Sequence, residues 1–509
     1  MARYAALEGD VSAWTVTRAA LFNGREETPA AGDALVQLLA TMAVGEWKLL
    51  NDTTKNLYSG PVAEDGYDIY TRPYYDAQYI ATGGVSADFT SDTTLKNYVM
   101  DGEGAGGGSS TTDAGRFFYS GVSFDHTRKI IVNWGGGHSN GAMNHGVYFN
   151  ALTAAVSQNG RWRNYTDAAP VGPPDADNDG LDAREYDANW PAIDQGVWTI
   201  TNFRWPQTIT SPVIGPDNNV APYSLHTYAA LCYDETNDKH WVGGFSIGKT
   251  GVGGVTAAAC VWDVAHATRA VTAHTGHGSL AVSVPAMVMP PDLTSEYVFY
   301  PTKTDGWEWF VYDINLNTST KVSTGGSTNS AVGAAMWVEN LTTSAKYDIV
   351  RWVASGNGRQ FVVYPNLWPI PGGVQTNVSY PVGNGGGDVD GTYYTFEAGV
   401  TRKWGELSAF SYVPEDALIY TITSNSGAIL IQTIDPFVGG ATSAQRWHVD
   451  NWLGGSYTNA PTVAGLGTDS EFVNGFQNKL IDLGPTYKAW LLPCNPHRGD
   501  VYLIKRAAL

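Results

Sequence analysis

Phe118-Tyr-Ser-Gly-Val-Ser-Phe124-Asp125-His-Thr-Arg-Lys129-Ile130-Ile-Val-Asn-Trp134-Gly-Gly-Gly-His138 decides the fold. Its first part is a strand of small and aromatic residues. Asp125 to Lys129 is polar and reads as a turn, because an Asp side chain bonds the backbone just ahead of it. Ile130 to Trp134 is then β-branched and apolar, which suits a buried strand, and it runs into three glycines. Ala229-Ala-Leu-Cys-Tyr-Asp-Glu-Thr-Asn-Asp-Lys-His-Trp-Val-Gly-Gly-Phe245 repeats the pattern. Both copies carry an aromatic followed by Asp, a Thr two places later, and an apolar strand entering glycines.

Each of these two stretches opens a longer unit. The first continues through Gly146–Asn150 and Arg161–Tyr165, and the second through Ala259–Asp263 and Thr268–Val271. Fainter copies follow. Pro285–Met289, Tyr297–Tyr300 and Trp309–Asp313 form the third unit, and Ala334–Val338, Tyr347–Val353 and Gln360–Tyr364 the fourth. Leu407–Ile422 with Ala428–Asp435 is the fifth, and Phe472–Phe476, Lys488–Leu492 and Asp500–Ile504 are the sixth. A period of about 50 residues in an all-β chain implies a propeller, since a four-stranded sheet covers its faces only against neighbouring sheets. The expected fold is an all-β propeller of six, alternatively seven, four-stranded blades over residues 117–509. The sixth unit runs out of chain after three strands. Residues 46–50 (Glu-Trp-Lys-Leu-Leu) are therefore expected to supply its outer strand and close the ring by pairing with 500–504.

Residues 1–116 stand outside the repeat as an N-terminal extension, with the closing strand at 46–50 and a Gly-rich linker at 101–113. Ala34–Met42 has helical apolar spacing, with Asp33 placed to cap it. Residues 166–221 form an insertion after the first unit, with an acidic run in it.

Three elements resemble the kelch-type propellers, the superfamily of the galactose-oxidase central domain. They are Val132–His138, the stretch Leu225-His-Thr-Tyr-Ala-Ala-Leu231, and Trp241-Val-Gly-Gly244, and the likeness spans residues 117–270. Leu225 stands where the kelch pattern carries Arg. The resemblance implies kelch-like blades. It carries no activity, because propellers host many functions. A copper-radical oxidase of that superfamily needs a Tyr–Cys crosslink, and none of Cys232, Cys260 and Cys494 has a matching context; all three read as buried free thiols.

A net charge of -19 opposes a nucleic-acid groove. There is no run of about 18 apolar residues, so no membrane span is expected. The first ten residues lack the apolar core of a secretory leader, so folding in a cytoplasm is expected.

The sharpest local motif is Asp175-Ala-Asp177-Asn-Asp179-Gly-Leu-Asp182-Ala-Arg-Glu185. Alternating carboxylates before a glycine can wrap a hard cation, and a later Glu can close the shell. Asp175, Asp177, Asp179, Asp182 and Glu185 are thus candidate calcium ligands, although Tyr186 stands where an EF-hand loop needs Glu. No other cofactor is expected. His138 and His226 are candidate ligand-binding residues if the first two blades adjoin, and His145 lies nearby. His274 and His277 read as loop residues.

Gly243–Thr250 spells a phosphate loop, and 137–141 and 244–248 spell the Gly-x-Ser-x-Gly elbow. Both motifs require a following helix, and these segments sit in β-repeats, so neither is assigned a function. No catalytic residue stands out. The expectation is a non-enzymatic structural or adhesion propeller of a tailed-phage virion, in a tail, neck or receptor-binding component. It would contact other virion proteins or a host surface glycan within a homo-oligomer or larger assembly. A carbohydrate-active or metal-dependent enzyme with its site at one propeller mouth is the first alternative. A cytoplasmic interaction scaffold is the second.

Overall fold

The computed structural model describes residues 32–51, 120–134, 146–157, 160, 162–164, 213–214, 220–221, 225–227, 229–243, 245–246, 261–267, 271–274, 286–292, 296–302, 308–324, 334–340, 346–355, 358–381, 393–397, 400, 404, 408–425, 428–437, 446–462, 479–494 and 499–509. These residues are mostly β-sheet with few helices, in a propeller-like arrangement of small, mainly antiparallel sheets.

Among the described residues, six sheets have three or more strands. The first joins Val122–Asp125, Ile130–Trp134, Gly146–Asn150 and Trp162–Asn164 in chain order. The second joins Leu231–Asp234, Lys239–Val242, Val261–Ala265 and Val271–His274. The third holds Tyr297–Thr302, Glu308–Asp313 and Thr318–Lys321; of the expected segment Pro285–Met289, Val288 bridges Phe299 of this sheet and Ala286 bridges Ala229. The fourth holds Ala335–Glu339, Tyr347–Ser355, Gly358–Trp368 and Val378–Pro381.

The fifth sheet has five strands instead of four. Tyr394–Phe396 adds in parallel outside Trp447–Asn451, beyond Ala428–Asp435, Leu418–Asn425 and Ala409–Val413. The sixth sheet is Ile481–Asp482, Ala489–Cys494, Asp500–Lys505 and Trp47–Leu49. Its inner strand is Ile481–Asp482; residues 472–476, expected in that place, lie outside the described residues.

The predicted N-terminal strand is there. Trp47 pairs with Ile504, Lys48 with Leu503 and Leu49 with Tyr502, all antiparallel. The chain enters this strand through Gly45 at φ +83°, where an added Cβ would meet Leu453 Cδ1 at 2.6 Å. The expected helix runs Ala34–Thr41, and the Asp33 carboxylate accepts from the Leu35 and Val36 amides at 2.8 and 3.2 Å.

The aromatic–Asp signature now has a physical cause. Four hairpins share a four-residue loop closed by a left-handed residue: Lys129, Asp238, Asn317 and Ala417, at φ 53° to 55°. In three of them an Asp at the strand end holds the turn. Asp125 accepts from the Arg128 amide at 2.8 Å, Asp234 from Thr236 and Asn237 at 3.0 and 2.9 Å, and Asp313 from Leu316 at 2.8 Å. The repeat was legible because each unit needs the same turn.

Packing runs from each sheet to the next. Trp241 and Val261 meet Val298 and Phe310, joining the second sheet to the third. Phe299 and Trp309 meet Ile349 and Tyr364, joining the third to the fourth. Phe361 and Val350 meet Phe410 and Trp447, joining the fourth to the fifth. Ile422 and Ile431 meet Trp490, Ile504 and Trp47, joining the fifth to the sixth. Leu491, Val501 and Leu503 of the sixth sheet then meet Phe124, Ile131 and Phe149 of the first, with Leu35 and Leu39 of the helix sealing that joint. No helix among the described residues is long and apolar enough to cross a membrane.

Candidate functional site

The turns that end the first strands bring charged side chains of neighbouring sheets together. The richest cluster lies between the first sheet and the second. Asp125 closes the first strand and is fully buried. Arg128, in the turn after it, donates through Nη1 to Asp125 Oδ2 at 2.7 Å. The same guanidinium reaches across to the second sheet and grips Asp238 with both arms, at 2.7 and 2.8 Å. Tyr233 donates its hydroxyl to Asp238 Oδ1 at 2.5 Å and accepts from Arg128 at 3.0 Å.

The electrostatics follow from these contacts. Hydrogen bonds to Asp238, then to Asp125, raise Arg128 above its ordinary value although burial opposes the charge. The Arg128 guanidinium in turn holds the Asp238 carboxyl below the usual carboxylate range. Burial, and then the bond to Asp238, pushes the Tyr233 phenol up.

Asp125, Asp238 and His266 offer ligand atoms that all lie within 4.8 Å of one another, a spacing compatible with a metal ion. The chemistry of the set argues otherwise. Arg128 already supplies the cation: it occupies both Asp238 oxygens and one Asp125 oxygen. A divalent ion would have to displace a bidentate guanidinium from a carboxylate pair that it fits. The cluster reads as an ionic clasp between two sheets.

This clasp gives a direct prediction. Arg128→Met leaves the buried Asp125 and the half-buried Asp238 facing each other without a cation. The expected cost is about 2 kcal/mol at neutral pH, between the limits for exposed and buried pairs. Asp238 contributes stability above the unfolded carboxyl value near pH ~4, and that contribution is lost as pH falls through its lowered folded value. The variant should therefore lose less stability than the parent on acidification below pH ~4. Urea titrations at several pH values would show it, and equal acid sensitivity in both proteins would refute it.

The other joints are built alike. Between the same two sheets, Ser123 Oγ lies 2.7 Å from His240 Nδ1, both buried. Between the fifth and sixth sheets, Arg506 donates to Glu415 at 2.9 Å and to Asp416, which also accepts from Tyr420 at 2.8 Å. Burial alone would lower Arg506, but Asp482, Asp416 and Glu415 outweigh it and raise the guanidinium. Between the fourth and fifth, Arg446 donates to the Tyr380 hydroxyl at 2.6 Å and lies over the Trp447 ring at 5.7 Å. Between the third and fourth, Trp337 Nε1 donates to the Met289 carbonyl. Between the sixth and the first, Lys129 lies over the Tyr487 ring at 4.9 Å, and Tyr487 donates to Asp33 at 2.7 Å.

Several predicted site residues lie outside the described residues: Asp175, Asp177, Asp179, Asp182, Glu185, His138, His145 and His277. His226 sits on the short strand Leu225–His226, paired with Phe245–Ser246. That pairing puts a strand inside both the Gly243–Thr250 and the 244–248 motifs, as their β-repeat context implied. His274, read as a loop residue, is on the strand Val271–His274 and pairs with Asp263. Cys232 and Cys494 are free thiols; Cys494 is buried as expected, whereas Cys232 is half-buried.

Sequence reasoning missed the Arg128–Asp238 clasp. Its signal was present in the two aligned turns, with a basic residue in one and an acid in the other.

No family model matches the chain. No curated protein matches it. Three solved structures show low similarity. A putative 6-phosphogluconolactonase from Bacteroides fragilis aligns at 11% identity and TM-score 0.31, over 78% of this chain and 96% of that one. An oligogalacturonate lyase in complex with manganese aligns at 12% identity and TM-score 0.26, over 55% of this chain and 88% of that one. A structural-genomics protein from Bacteroides thetaiotaomicron aligns at 10% identity and TM-score 0.25, over 53% of this chain and 67% of that one.

Proposed function

We propose that the chain is a six-bladed propeller, closed by Trp47–Leu49, that works as a non-enzymatic recognition or structural module of a phage virion. The observation that carries this reading is the use of charge at the joints. The Asp125–Arg128–Asp238 cluster and the Glu415–Asp416–Arg506 cluster tie neighbouring sheets together, and their carboxylates are held by guanidinium groups. Such a ring is a rigid platform that presents loops to a partner. The acidic run at 175–185 belongs to the same reading as a calcium loop that would order the insertion carrying it.

A metal enzyme at the Asp125–Asp238–His266 cluster is the competing reading, and Arg128 weighs against it. One set of measurements on the full chain separates them. A glycan array, pull-down with virion proteins and calorimetry with calcium and manganese are run on one preparation. The proposal expects retention of a glycan or a virion protein without turnover, and calcium heat that is lost in Asp179→Asn. Turnover of a bound glycan that depends on manganese would overturn it.

A further inference from the structure

The two helices at the joint between the sixth sheet and the first share a chemistry that sets them apart. Ala34–Thr41 and Ala151–Ser157 hold no Asp, Glu, Lys or Arg, in a chain whose net charge is -19. A helix on the surface of a soluble domain normally turns a charged face to water. The inner faces of these two behave as expected: Leu35, Leu39, Ala151, Ala154 and Ala155 are buried in the core that joins the two sheets. The outer faces break the rule. Val36, Leu38 and Leu152 pack against that core yet stay partly exposed. Val156 is 75% exposed, and Gln37, Ala40 and Thr153 are exposed on the same two helices.

The charges at the ends of the longer helix are already engaged. Asp33 caps its first turn and accepts from the Tyr487 hydroxyl at 2.7 Å. Lys505 is buried at the other end, and its ammonium donates to the Leu39 and Met42 carbonyls at 2.8 Å each. Glu46 accepts from the Ala43 amide at 2.8 Å. A surface with apolar side chains and no charge has the composition of an interface core. Leu316, 71% exposed, differs: it sits in the turn between Glu308–Asp313 and Thr318–Lys321, and a single exposed apolar side chain needs no partner.

We propose that this two-helix face binds a second copy of the chain across a two-fold axis. The charges choose the occupant. A strongly basic or acidic partner finds no counter-charge on either helix. Two copies that each carry -19 repel wherever their charged surfaces meet, so they approach most closely through a face that holds no charge. A two-fold contact needs one self-complementary patch on both copies. Ala40, exposed on the longer helix, lets facing helices come close, because the side chains between two helices set their spacing.

The contact acts on the ring itself. Through Leu35 and Leu39, the inner side of the same helix seals the joint where Trp47–Leu49 pairs with the last strand. A second copy on the outer side binds only the folded joint and so stabilises it by mass action. The inference stands on the two helices and does not depend on the virion reading.

Sedimentation velocity of the full chain over a concentration series tests this. The parent is expected as a dimer, with a Tm that rises with protein concentration. Val156→Lys, or Ala40→Glu if that variant does not fold, should raise the dimer dissociation constant by about 100-fold, because two-fold symmetry buries each new charge twice. The Val156→Lys change is the stringent one. It lowers the net negative charge, so it would strengthen an association limited by overall repulsion alone. Leu316→Lys makes the same change of charge away from the helices and should leave the dimer intact. A parent that stays monomeric up to about 100 µM overturns the proposal, whatever else then binds the face. A dimer on which Val156→Lys and Leu316→Lys act equally overturns it as well.

Discussion

Trp47→Ala should lower the unfolding free energy by about 3–5 kcal/mol, the range for truncating a fully buried aromatic side chain. Trp47 is 1% exposed although it lies on a three-residue strand more than 400 positions from its hydrogen-bonding partners. Its ring meets Tyr502 edge-on at 5.7 Å and packs in the same cluster as Trp490, Leu492 and Ile504 of the sixth sheet and Ile422 and Ile431 of the fifth. The residue thus joins two ends of the chain and two sheets at once.

Removing residues 1–50 should be worse than the point change, because it also deletes Leu35, Leu39 and Leu50 from the core where the sixth sheet meets the first. The truncated chain exposes the edge of Asp500–Lys505 and an apolar face, and it is expected to aggregate. A urea midpoint for Trp47→Ala within ~0.5 kcal/mol of the parent would show that the strand is dispensable.

Trp447→Ala is the second large effect. It should also cost about 3–5 kcal/mol. The fourth and fifth sheets meet through a cluster of rings set among Val350, Val363, Ile419 and Ile434. Trp447 stacks on Phe361 at 4.9 Å with an interplanar angle of 10°, and on Tyr394 at 5.8 Å and 24°. Trp352 meets Trp404 edge-on at 5.6 Å, and Trp404 donates its Nε1–H to Gln432 at 2.7 Å. Removing Trp447 opens a cavity whose walls are stiff rings, which collapse poorly, so the upper part of the range applies. It also takes away the ring under Arg446. Trp447→Phe keeps the stacking partner for Phe361 and should cost less than half as much. Equal losses for Ala and Phe would show that the indole, and not the stack, supports the joint.

Much of this architecture was legible because it is local. The turn at Asp125 depends on residues within three positions, and the same chemistry returns at Asp234 and Asp313. Asp33 caps a helix two and three residues ahead. The pairing of Trp47–Leu49 with the last strand was found by subtraction, from a last unit one strand short.

Two of the strands that were missed, Thr318–Lys321 and Tyr394–Phe396, are edge elements. Thr318–Lys321 alternates exposed and half-buried, so it carries no apolar signal, and its partner strand supplies its order. Tyr394–Phe396 pairs in parallel with a strand some fifty residues on, outside any hairpin pattern. The clasps were invisible for a related reason. Arg128 and Asp238 are 110 residues apart, and only the packing of the first sheet on the second makes them neighbours. His274 was misread because one pairing, Val261 with His274, turns a small polar loop sequence into the end of a strand.

Hydrogen exchange tests the proposed ring closure most directly. Trp47–Leu49 pairs with Tyr502–Ile504, the Leu50 amide donates to Val501 and the Lys505 amide donates to Glu46, so the amides that cross this pairing should open together and show equal protection, at the level of the core strand Ala489–Cys494 beside them. Fast exchange at Leu50 with full protection retained at Lys505 would contradict closure, since it would mean that the sixth sheet is stable without the strand from the other end of the chain.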